Sequence, residues 1–168
     1  PHYALIIGVN QDWPEQRYTH GDIGLARTLS NLLPKENLVE VYDEHATRSN
    51  ILRALERLLD RRNEQNKTAA ACEIEKEGKE IKGHVVEDDT LLFSYGGHGK
   101  RTQFCTQTQT IHNGKIVSEP WLKYSDIINL LERKFKGGTA LCFIDCCHSG
   151  GFGEAIVQKY SNNNNNNN

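Results

Sequence analysis

Three short apolar, partly β-branched runs stand apart from the rest of the chain: Ala4 to Val9 (ALIIGV), Thr90 to Tyr95 (TLLFSY) and Thr139 to Ile144 (TALCFI). Each is continuous rather than alternating and is closed by Gly, Asn, Asp or His, the pattern of a strand buried on both faces of a parallel sheet. A fourth run, Leu38 to Tyr42 (LVEVY), alternates and fits a place nearer the sheet edge. Helical spacing takes over in between. Ile23 to Leu33 is one such stretch; Asn50 to Arg62 sets Leu52, Leu55 and Leu59 on one face; Asp126 to Phe135 follows Ser125, a residue type suited to an N-cap. Strands alternating with crossover helices predict an α/β fold: a mostly parallel sheet with helices on both faces and its chemistry at the carboxyl ends of the strands.

Two polar stretches interrupt this scheme. Asn63 to Asp89 is rich in Glu and Lys with almost no apolar period, and is expected to be a long solvated loop. Between Lys100 and Pro120, Asn113-Gly114 lies within alternating flanks and signals a hairpin with a type I′ turn. Residues 1–160 thus read as one domain with a polar insertion at 63–89. The tail from Ser161 through seven asparagines, Asn162 to Asn168, cannot build a core and is expected to be disordered or filler.

Composition narrows the classes. A formal charge of -2 gives no overall basic field, which argues against nucleic acid as a partner. No run of about 18 apolar residues exists to span a membrane, and the opening PHYALIIG lacks the basic-then-apolar layout of a signal peptide. The five cysteines, Cys72, Cys105, Cys142, Cys146 and Cys147, are odd in number and without framework spacing, which suits free thiols in a reducing, cytoplasmic setting.

The candidate chemistry follows two of the predicted strands. Tyr95-Gly96-Gly97-His98-Gly99 ends TLLFSY, and glycines on both sides of a histidine allow a ligand to approach imidazole and backbone alike. Asp145-Cys146-Cys147-His148-Ser149-Gly150 ends TALCFI and puts a thiol at the same rim. Taken singly, the first could be a surface turn and the second a buried structural cysteine. A zinc site from His98, Cys146, Cys147 and His148 is disfavoured, because adjacent cysteines chelate one ion poorly and no C-x-x-C spacing occurs. Together the two segments make a Cys–His dyad candidate.

The interval from His98 to Cys147 is 147 minus 98, or 49 residues, and caspase-like peptidases place their histidine about 50 residues before the nucleophile. The two segments resemble the motifs Tyr-Ser-Gly-His-Gly and Asp-Ser-Cys-His-Ser-Gly of the metacaspase, paracaspase and orthocaspase branch, with one substitution in each. The likeness spans roughly Tyr3 to Phe152. It implies a caspase-hemoglobinase-like three-layer sandwich, Cys147 as nucleophile with Cys146 as the rival thiol, His98 as its acid–base partner, and the backbone N–H groups of Gly99 and Cys147 as the oxyanion hole. It also implies an endopeptidase that accepts protein or peptide substrates and cleaves after Arg or Lys.

Asp145 matches an acidic substrate-pocket residue of that pattern. The family's second acid falls at Leu25 here, and Asp22, three residues earlier, is the candidate to restore the charge; a helix N-cap is its competing role. No cofactor is required by these residues. Calcium activation, common among such enzymes, needs an acidic cluster, yet no Asp or Glu occurs between His98 and Glu119, and only Glu154 falls near a family acidic position. The resemblance further implies a small-subunit-like portion that completes the sheet, and it places a potential self-processing point near Lys159. A caspase-like scaffold that binds partners without cleaving is the alternative function.

Overall fold

The computed structural model describes residues 2–10, 18–77, 89–107, 110–112, 115–117, 121–136 and 138–165, with the backbone alone for 18–20, 68–77, 110–112, 115–117 and 162–165. In chain order the strands are β1 (His2–Gly8), β2 (Leu38–Tyr42), β3 (Asp89–Gly96), β4 (Gly99–Lys100), β5 (Gln103–Cys105), β6 (Thr110–His112), β7 (Lys115–Val117), β8 (Trp121–Lys123) and β9 (Gly138–Asp145). The helices are α1 (Tyr18–Leu29), α2 (Arg48–Glu77), α3 (Tyr124–Lys134) and α4 (Gly150–Asn165). The four apolar runs form one all-parallel sheet in the order β2-β1-β3-β9. Its register aligns the strand ends: Gly8 opposes both Tyr42 and Gly96, and Gly96 opposes Asp145.

Because side chains alternate across a strand, the sheet sorts its residues into two layers. Tyr3, Leu5, Ile7, Leu91, Phe93 and Tyr95 face Ile51, Leu55 and Leu59 of α2, Ile127 and Leu130 of α3, and Phe152 of α4. Ala4, Ile6 and Leu92 face Ala26, Leu25 and Leu29 of α1. Helices thus cover both faces, and the sheet with its two helical layers is the expected α/β sandwich. Each fully buried Leu, Ile or Phe contributes roughly 1.5–3 kcal/mol. Beside the main sheet, β4, β5 and β8 pair antiparallel as a small ribbon carrying Phe104, whose ring touches Tyr95, Tyr124 and Phe152 at centroid distances of 4.3, 4.6 and 5.6 Å.

Several boundaries differ from expectation for physical reasons. α2 runs on to Glu77 through the first half of the stretch read as a loop, since Asn63 to Glu77 holds no Gly or Pro and is rich in Ala, Glu, Gln and Lys, which favour helix without an apolar stripe. α1 begins at Tyr18 rather than Ile23 and stops at Leu29, where the chain tightens ahead of Pro34. Ser125 is not the cap of α3: the helix starts one residue earlier, where the Tyr124 N–H donates to the Thr102 carbonyl at 3.0 Å and its ring is buried. α4 carries helix through Ser161 and the first asparagines to Asn165. At the hairpin, β6 and β7 pair with His112 opposite Lys115, and the Asn113-Gly114 turn itself lies outside the described residues. Among the described residues, no helix is long and apolar enough to cross a membrane.

Candidate active site

Both chemical segments leave the sheet side by side. Gly96 and Asp145 are paired in register, and His98 and Cys147 each lie two residues beyond their member of that pair. The Gly97 N–H donates to the Asp145 carbonyl at 3.1 Å, fastening one loop to the other. Further along, a Cβ at Gly99 would sit 2.8 Å from the Cys147 carbonyl oxygen and 2.6 Å from Cys146 Sγ, so the absence of a side chain there lets the histidine loop rest on the cysteine loop. His98 is half-buried and Cys147 is exposed. The imidazole and the thiol therefore rise from adjoining loops at one rim, and the sulfur is open to solvent.

The histidine loop is held from below. The Tyr95 hydroxyl lies 2.7 Å from the His98 carbonyl and 2.6 Å from the Cys105 carbonyl, and the Cys105 N–H donates to the His98 carbonyl at 2.8 Å. Tyr95 is fully buried. Gly97 bends the chain around this phenol with φ of +157°, and a Cβ there would meet the hydroxyl at 2.8 Å. Sequence reasoning missed Tyr95 as a support; the signal available was an aromatic residue with a polar tip directly before a Gly-Gly turn.

The two adjacent cysteines point in different directions. Cys146 packs against the main core and contacts the Tyr124 hydroxyl, which in turn donates to the Lys100 carbonyl at 2.8 Å. Burial pushes the Cys146 thiol up to about 11, against the pull of Tyr124, and the neighbouring Cys147 and Asp145 add to the rise. Such a thiol holds almost no thiolate near neutral pH. Burial likewise pushes Cys142 up to about 11, and Cys105 is buried. The side chain of Cys72 lies outside the described residues. That leaves Cys147 as the accessible sulfur of the site, in a turn where His148 takes a left-handed φ of 60°, a conformation that costs a non-glycine residue energy and is held here by the Gly151 N–H donating to the His148 carbonyl at 2.9 Å.

Both acidic candidates reach the same strand ends. Asp22 lies inside α1, not at its cap, and is 7 % exposed. Its carboxylate fills the space that a Cβ on Gly96 would need, with Oδ1 at a long 3.4 Å from Ser94 Oγ. Burial raises Asp22 to about 6; the Ser94 hydrogen bond opposes this and the Asp145 charge adds to it. Asp145 closes β9, exposed, four residues short of any capping position for α4. Leu25, at the position of the expected second acid, packs into the apolar layer under α1.

Of the remaining candidates, Glu154 is 3.7 Å from Arg101, and the two line a cleft of about 420 Å³ together with Lys123. Lys159 lies within α4, its Nζ donating to Asn129 at 2.8 Å and pairing with Glu132 at 2.9 Å, so cleavage beside it would first require that helix to unwind. No cluster of three or more His, Cys, Asp or Glu suited to a metal occurs among the described residues. No protein-family model matches the chain, and no curated protein matches it.

Proposed function

We propose that the protein is a cysteine endopeptidase of the caspase-like type, its α/β sandwich being of the caspase-hemoglobinase kind, and that it cleaves after Arg or Lys. The observation that carries this reading is the placement of His98 and Cys147 two residues beyond a register-matched pair of neighbouring parallel strands, with Cys147 open and Cys146 turned into the core.

In the reaction, His98 takes the Cys147 proton and the thiolate attacks the carbonyl carbon of the scissile peptide, forming a C–S bond. The negative charge gathers on the carbonyl oxygen, where the backbone N–H groups of Gly99 and Cys147 receive it; one such donor is worth roughly 2.7–4 kcal/mol in comparable sites. The C–N bond then breaks as the His98 imidazolium gives its proton to the leaving amine. Water, deprotonated by His98, attacks the thioester, the C–S bond breaks, and the acid product leaves. No cofactor takes part in these steps. Asp145 and Asp22 supply negative charge for a basic P1 side chain, suited to charge-assisted hydrogen bonds.

The protein is to be assayed with fluorogenic peptides bearing Arg, Lys or Asp at P1. Hydrolysis of the Arg and Lys peptides is expected, abolished in Cys147→Ala and retained in Cys146→Ala. Turnover undiminished in Cys147→Ala would falsify the assignment, and binding without hydrolysis by the unaltered protein would favour the non-cleaving scaffold.

A further inference from the structure

Arg101, Lys123 and Glu154 share the wall of the cleft of about 420 Å³ that adjoins both chemical loops. Arg101 comes three residues after His98, and Gly151, also on the wall, comes four after Cys147. At about 3.6 Å per fully extended residue, those spacings keep the cleft wall within about 11 Å of one dyad member and about 14 Å of the other. We propose that the cleft is a substrate subsite for an acidic side chain, an Asp or Glu lying within about four residues of the scissile bond. This rests on the peptidase reading above and adds a second point of selection, opposite in charge to the P1 residue.

The walls are short of negative charge. Arg101 Nη2 lies 3.7 Å from Glu154 Oε2, and Lys123 has no ion-pair partner among the described residues. The nearest other carboxylate along the chain, Asp126 in the first turn of α3, is taken by Arg48 of α2 at 3.1 Å. Two side-chain cations therefore face one anion. Thr102 and Ser125 add hydroxyl donors to the lining, and α3 and α4 both begin at this wall, so the positive ends of two helices carry the same sign. The frame is fixed: a Cβ at Gly151 would collide with the Arg101 carbonyl, and the Tyr124 N–H donates to the Thr102 carbonyl at 3.0 Å, which holds the Arg101 turn between the starts of α4 and α3. An incoming carboxylate can pair with Lys123 and Arg101 through charge-assisted hydrogen bonds. Calcium suits these walls poorly, since it needs several oxygen ligands and meets one carboxylate opposed by two cations. Glu154 already holds Arg101 as the substrate acid would, and so competes with it.

The test compares kcat/KM for pairs of peptides with arginine at P1 that differ only in carrying Glu or Gln at one other position, moved in turn through about four residues on either side of the scissile bond. At one or two positions Glu is expected to be preferred about three- to fivefold, the upper range for an exposed ion pair. Raising the salt from about 0.05 M to about 0.5 M should bring the ratio towards one. Arg101→Gln and Lys123→Gln should each lower it, and Glu154→Gln, which removes the competing carboxylate, should raise it, a gain that a merely structural role would not give. Cleavage with no preference for Glu at any position, or a preference untouched when Arg101→Gln and Lys123→Gln are combined, overturns the proposal while leaving the peptidase reading intact. Titrating isotope-labelled Cys147→Ala with inorganic phosphate, followed by amide resonances, separates the converse case. Saturable shifts at Arg101, Lys123 and Ser125 that strengthen in Glu154→Gln support the anion-binding cleft even where no peptide is cleaved, so that the peptidase reading alone falls. Absence of saturation there, or saturable shifts of the same amides with calcium instead of phosphate, counts against the cleft as proposed.

Discussion

Asp22 illustrates how a buried carboxyl works against the fold that houses it. A carboxyl displaced from 3.8 to about 6 by burial binds a proton in the native state at pH values where the unfolded chain has already released it. Its contribution therefore lowers stability as pH climbs from about 4 to 6, and the full cost persists above that. The displacement corresponds to a ceiling of roughly 3 kcal/mol. Asp22→Asn should consequently be more stable than the unaltered protein at pH 7.5 and little different near pH 4, as read from urea midpoints at the two pH values. A variant destabilised equally at both would show that the carboxylate is structurally required. At this scale the sequence was informative about identity and silent about direction: the motif match named His98 and Cys147 with Cys146 as the rival thiol, but not which of the two thiols faces solvent. That choice was legible in hindsight. Cys142, Ile144 and Cys146 share the main-core side, and Cys147 follows Phe143 and Asp145 to the other.

Elements were recovered in proportion to how much of their identity resides in apolar pattern. The four strands of the main sheet emerge within two residues of their expected ends, and β1 and β3 are buried as their uninterrupted apolar runs imply; β9, expected to be buried on both faces, is instead exposed or half-exposed along its length, because it lies at the sheet edge. Helices that extend beyond the core do not keep to their expected ends. The continuation of α2 to Glu77 and of α4 into the asparagine tract rests on unbroken backbone hydrogen bonding with no stripe to reveal it. The far end of the sheet shows the same limit in a polar form. Arg62 of α2 is 4 % exposed at its side chain, and its Nε donates to Asp89 of β3 at 2.6 Å, where Asn66 also donates at 2.8 Å. Burial alone would raise Asp89, but the hydrogen bonds from Asn66 and Arg62 prevail and hold it below its usual value. Arg62 Nη2 also donates to the Lys136 carbonyl at 2.6 Å, joining α2 to the turn before β9. Removing Arg62 takes the guanidinium from a buried carboxylate, the kind of loss that is strongly destabilising. Arg62→Ala is expected to cost about 3–5 kcal/mol by urea denaturation, and Asp89→Asn, which removes the buried negative charge, should recover part of that loss when combined with it. A change below 1 kcal/mol in Arg62→Ala would show the pair to be dispensable.

Across the whole molecule, protection is uneven. β1 lies between two strands and under helices on both faces, whereas β9, among the described residues, pairs on one side only, and α1 does not reach over it. Leu141 and Phe143 remain 46 % and 60 % exposed on that side. Amide exchange measured by mass spectrometry should place β1 and β3 among the slowest segments and β9 well ahead of them, through an opening that leaves the rest folded. Equal protection of β9 and β1 would contradict this picture. The strand that leads into the Cys147 loop is thus an edge strand of the four, as β2 is on the opposite side. On the proposed peptidase reading, heating should silence the protein in two stages: turnover fails first, as β9 peels from β3 and carries Cys147 away from His98, and helical circular dichroism follows several degrees later. On that reading such a molecule would fall dormant and recover on cooling without losing its core.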